Sequence, residues 1–69
     1  MAEYYYYIFD IQTEEDCEEE SICVQEHSLS GARLCLERNG FSSNLPLLTS
    51  FKADEAGDAQ IDAWGYDVY

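Results

Sequence analysis

An α+β fold is what this sequence predicts: a small antiparallel sheet of about four strands with one helix packed on one face, in the order β-β-α-β-β. Three observations carry that reading. The chain has 69 residues, enough for one core and not for two. Residues Tyr4 to Ile11 read YYYYIFDI, aromatic and β-branched with neither Gly nor Pro. Residues 27–40 read HSLSGARLCLERNG, a capped helix with a glycine stop.

Each element has its own local reason. In an extended Tyr4–Ile11, Tyr5, Tyr7, Phe9 and Ile11 share one face and Tyr4, Tyr6, Ile8 and Asp10 the other. The first face is expected on the core, the second half covered. Thr13 to Glu20 holds six acids in eight residues, which no packed element buries, so it reads as an exposed connection. Ser21 to His27 is expected as a second strand, with Ile22 and Val24 facing one way and Cys23 the other. The helix is expected over Ser28 to Asn39, capped by Ser28 or Ser30, with Leu29, Ala32 and Leu36 on its apolar stripe. Gly40 ends it, and Phe41 folds back on its last turn. Leu45 to Ala53 is expected as a strand with Pro46 at its start. Asp54 to Gln60 reads as an acidic turn. Ile61 to Tyr69, which alternates, reads as a last strand with Gly65 at a bulge. The expected organisation is one acidic α+β domain over residues 1–69. The sheet face away from the helix would then carry Tyr and acidic side chains to solvent.

Charge is the feature that points to function. Fifteen acids against three bases leave a net charge of −12. A compact chain of this length has a diameter of roughly 28 Å. Duplex DNA of that length carries about 16 charges. Solubility asks for a net charge of magnitude only ~2 to 8. The excess steers the chain toward positive surfaces and away from nucleic acid and anionic lipid. The bases, Arg33, Arg38 and Lys52, lie in the middle of the chain. The first twenty residues hold eight acids and no base, and the last seventeen hold five acids and no base. The candidate partner-binding residues are therefore Glu14, Glu15, Asp16, Glu18, Glu19, Glu20, Asp54, Glu55, Asp58, Asp62 and Asp67, with Tyr66 as an aromatic anchor. In an extended chain Asp58, Gln60 and Asp62 would share one side.

Other chemistries find little support. Cys17, Cys23, His27 and Cys35 are zinc-ligand types without a C-x₂₋₄-C knuckle. Asp54 to Asp62 contains Gly57 but departs from the calcium-loop pattern. A single histidine, His27, lies in no nucleophile–base–orienter register, and no Gly-rich phosphate motif is present. The expectation is a non-enzyme with no cofactor and no metal. Three cysteines, an odd number, fit reduced thiols. No basic stretch precedes an apolar one at Met1-Ala2-Glu3-Tyr4, so a cytoplasmic setting is expected.

In size, in acidity and in the helix HSLSGARLCLERNG set within a small sheet, the chain resembles small phage-encoded inhibitors of bacterial defence, anti-CRISPR proteins above all. The resemblance covers the plan of the whole chain. It implies DNA mimicry against a crRNA-guided effector or its nuclease in the cytoplasm of a bacterial host cell, with the protein bound where guide or target DNA would lie. The same charge logic fits an immunity protein or antitoxin against a basic nuclease. A third reading is a small adaptor subunit whose tyrosine-rich strand adds to another sheet.

Overall fold

The computed structural model describes residues 3–11 and 20–69. Over these described residues it is an α+β fold of three antiparallel strands and two helices: β1 (Tyr5–Ile11), β2 (Glu20–Glu26), α1 (Leu29–Arg38), β3 (Leu47–Lys52) and α2 (Glu55–Trp64). The sheet order is β2-β1-β3. Most of the acidic connection, residues 12–19, lies outside the described residues.

β1 is central, with Tyr7 opposite Val24 on β2 and opposite Ser50 on β3. Its run Tyr6, Tyr7, Ile8 and Phe9 is buried without a break, the mark of a strand covered on both faces. Tyr7 and Phe9 meet Ile22, Val24, Ala32 and Leu36 under α1. Tyr6 and Ile8 meet Cys23 and Ile61 under α2. The face expected to show tyrosines to solvent is instead a second core. A central β1 also has no free edge, so the tyrosine-rich strand is closed to strand addition.

α1 forms as its caps dictate. The Ser28 hydroxyl accepts from the Gly31 N–H at 3.1 Å, and Gly40 takes φ 84° past the helix end. The Phe41 N–H returns to the Leu36 carbonyl at 2.9 Å. Leu29 departs from expectation. As the first helical residue it lies at the rim of the sheet contact and stays exposed, while Ala32 and Leu36 are buried.

The last strand expected over Ile61 to Tyr69 is instead mostly helix, and the acidic turn before it is the start of that helix. The reason is local. Asp54, in an extended conformation, accepts from the Gly57 N–H at 2.8 Å and caps α2. Glu55 and Asp58 sit in the first turn, where the helix dipole favours negative charge. Gly65, in the left-handed region at φ 76°, ends the helix and is no bulge. The residues after it lie along the outer edge of β2. There Val68 bridges Cys23 in parallel, the Tyr69 N–H donates to the Cys23 carbonyl at 3.0 Å, and the Gln25 N–H donates to the Tyr69 carbonyl at 3.2 Å.

Candidate functional site

α2 turns acids that are scattered in sequence into a line. Gly57 and Ile61 are its buried residues and point it at the sheet. At 100° per residue, Glu55, Asp58 and Asp62 (i, i+3, i+7) then fall on one flank, and all are exposed. Gln60 falls on the opposite flank, so the strand register that grouped it with Asp58 and Asp62 does not hold.

The acids of this flank differ in their duties. Asp54 is committed to the cap. Asp58 accepts a hydrogen bond from the Tyr6 hydroxyl, which ties the helix to the central strand. Among the described residues, Glu55, Asp62 and Asp67 accept no side-chain hydrogen bond and pair with no base. Their charges are free for a partner. Tyr66, expected as an anchor, is half-buried and shares a hydrogen bond with the Ser21 hydroxyl, so it is held by the fold.

The last residues of the chain run beside the start of β2. With Val68 beside Cys23 and Tyr66 bonded to Ser21, exposed Asp67 runs next to the start of β2, whose first residue is Glu20. Glu14, Glu15, Asp16, Glu18 and Glu19 lie outside the described residues.

The bases sit apart from this surface or are engaged. Arg33 lies over the Phe9 ring, 5.4 Å from its centre, and donates to the Ser43 and Leu45 carbonyls at 2.8 and 3.0 Å. Lys52 pairs with Glu3 at 3.1 Å. That bond and a second from Tyr5 hold the Glu3 carboxyl below its usual range. Arg38 closes the last turn of α1, where a cation is favoured.

Beside the acidic helix lies a feature the sequence reading missed. Phe51, Lys52, Asp54, Ala56, Gly57, Gln60 and Trp64 line an open groove of about 370 Å³. Trp64 stands edge-on to Phe51 at 6.0 Å and is 53% exposed. Its signal was helical spacing: Gly57, Gln60 and Trp64 follow one side of a helix, but alternation hid it.

Cys23 and Cys35 belong to opposite faces of the sheet. His27 stacks on Tyr4 at 4.0 Å, and its Nδ1 lies 2.9 Å from the Glu3 carbonyl. A carbonyl only accepts, so Nδ1 carries a proton. Among the described residues no three His, Cys, Asp or Glu side chains converge as a metal site, and no helix is long and apolar enough to cross a membrane.

Three buried groups give the fold an alkaline limit, among them the Tyr7 phenol, which burial raises above its ordinary value. The bond to Asp58, with burial second, pushes the Tyr6 phenol up to about 12. Burial pushes the Cys23 thiol up to about 11. All three are raised, so each contribution is whole below the group's ordinary value and is lost as pH climbs through the folded one. Denaturant melts at stepped pH should show constant stability between pH 7 and 8 on this account, then a fall across roughly pH 9 to 12. Tyr6→Phe should shrink the upper part of that fall, where Tyr7 still contributes, and leave the lower. An unchanged upper limb in Tyr6→Phe would show that the Tyr6–Asp58 bond is not its source.

Family models, curated proteins and solved structures were each compared with the chain, and none matches it.

Proposed function

We propose that this chain is an inhibitor that binds a basic, nucleic-acid-binding surface of a protein complex by charge complementarity. Its target on this reading is a crRNA-guided effector, and its effect is that of an anti-CRISPR, keeping target DNA from the groove it would occupy. The observation that carries the reading is the exposed acidic flank of α2. Glu55 to Asp62 spans about 10 Å of helix. One strand of duplex DNA presents about three phosphates over that length, and the flank presents Glu55, Asp58 and Asp62. Asp54 and Asp67 extend the same sign to either end, while the groove at Trp64 lies on the other flank of the helix, with Gln60.

The test is binding to a purified DNA-binding effector complex, with and without target DNA, over a range of salt. The protein and the DNA should exclude one another, and affinity should fall steeply as salt rises. The double reversal Glu55→Lys with Asp62→Lys should slow association about tenfold or more at low salt. Among the described residues neither side chain accepts a hydrogen bond, so the fold should survive the change with only a small loss, where Lys replaces Glu55 in the first turn of α2. Asp58→Lys is a poor substitute, because it also breaks the bond to Tyr6. Simultaneous binding of protein and DNA, or an association rate indifferent to the double reversal and to salt, would overturn the reading.

A further inference from the structure

We propose that the outer edge of β3 is a self-association surface, through which two copies of this chain pair antiparallel and join their sheets into one of six strands. The two edges of the sheet are treated differently by the fold. The β2 edge is occupied by the chain's own last residues, with Val68 and Tyr69 bonded along it. At the other edge β3 pairs with β1, and no described residue pairs with its outer side. The Ala53 N–H donates inward to the Tyr4 carbonyl at 2.9 Å, so by alternation the backbone groups of Ser50 point outward. Leu47 and Leu48 lie on this strand 37% and 58% exposed. An edge of that kind is a template for another strand.

Charge selects the occupant. Two copies of a −12 protein repel unless they meet where acids are absent. Residues 38–53 contain no Asp or Glu, and β3 lies within that stretch. A two-fold axis at Thr49 places Leu48 of one copy opposite Ser50 of the other, and Leu47 opposite Phe51. It also carries the Asp54 end of one copy to the Ser43–Leu45 segment of the other, where Arg33 is anchored. Asp54 therefore meets a segment with no acid of its own at both ends of the pairing. A symmetric contact of this type closes at two copies. A basic partner would choose the acidic flank of α2 instead, so the two surfaces do not compete for one chemistry.

The experiment is sedimentation equilibrium of the full chain at low and high salt. The expected species has twice the 7.9 kDa chain mass. Its dissociation constant should fall several-fold as salt screens the repulsion, the opposite sign to the salt effect expected for a basic partner. Leu48→Glu puts an acid on the paired edge and should weaken the dimer at least tenfold. Leu34→Glu, the same change at a 54% exposed site on α1, should leave it intact. Thr49→Cys places thiols across the two-fold axis, and mild oxidation should link two copies well beyond the wild-type blank, in which the native cysteines stand alone. A chain that stays monomeric at high salt and millimolar concentration overturns the proposal. So does a dimer that survives Leu48→Glu, or a Thr49→Cys protein that links no better than wild type.

Discussion

Phe9→Ala should take from the chain a third or more of its stability. Phe9 is fully buried between the central strand and α1, in the cluster that includes Val24 and Leu36. Truncating a buried Phe costs about 3–5 kcal/mol. A domain of this length has only about 3–10 kcal/mol in total at typical per-residue stability. The loss reaches beyond the cavity, because the Arg33 guanidinium rests on that ring while holding the Ser43 and Leu45 carbonyls. Without the ring, the segment that delivers the chain into β3 loses its support. Leu29→Ala is the contrast, since Leu29 is 37% exposed. It should cost about 0.5 kcal/mol or less. Urea unfolding followed by circular dichroism measures both. A loss below about 1 kcal/mol for Phe9→Ala would mean that the α1 side is not the principal core.

That contrast bears on what could be read from residues alone. The first two strands and α1 were legible because their signals are local: an unbroken aromatic and β-branched run, a Ser cap, an Asn-Gly stop. Ile22 and Val24 do face α1, and Cys23 does face away. The exposure of Leu29 was not legible, because a helical stripe does not say where the neighbouring sheet ends. α2 was missed for a physical reason. It buries only Gly57 and Ile61, too few apolar positions to show a 3.6 period. The alternation Ile61-Asp62-Ala63-Trp64 imitates a strand. The caps Asp54 and Gly65, with three alanines between them, were the better signal. The unbroken burial of Tyr6 to Phe9 was the global clue, since a strand apolar on both faces needs a layer on each. For the site, the acids were legible as charge but not as geometry. Only a helix sets Glu55 beside Asp58 and Asp62, and only the fold shows that Asp54, Asp58 and Tyr66 already have internal partners.

The seating of α2 can be tested with one methyl group. In an open helix, Gly→Ala gains up to about 1 kcal/mol. Gly57→Ala should do the reverse. A Cβ there would stand 2.1 Å from the Lys52 carbonyl oxygen and 3.2 Å from the Phe51 ring. The obstructing atom is strand backbone, held in place because the next residue, Ala53, donates to Tyr4 across the ladder. The helix must therefore lift, and lifting strains the Asp54 cap, the packing of Ile61 and the Tyr6–Asp58 bond together. A loss of about 2–4 kcal/mol is expected from overpacking and weakened buried hydrogen bonds. Gly31→Ala in α1 is the matched control. There the new Cβ would meet the Ser28 hydroxyl at 3.4 Å, an ordinary contact. That variant should be neutral or slightly stabilised. Urea melts of the two variants read the sign directly, and Trp64 fluorescence reports whether the groove has opened. Partner binding should follow the same split, because the acidic flank has a fixed place only while α2 is seated. Equal stability in the two variants would show that α2 does not rest on β3, and the acidic line along it would lose its physical basis.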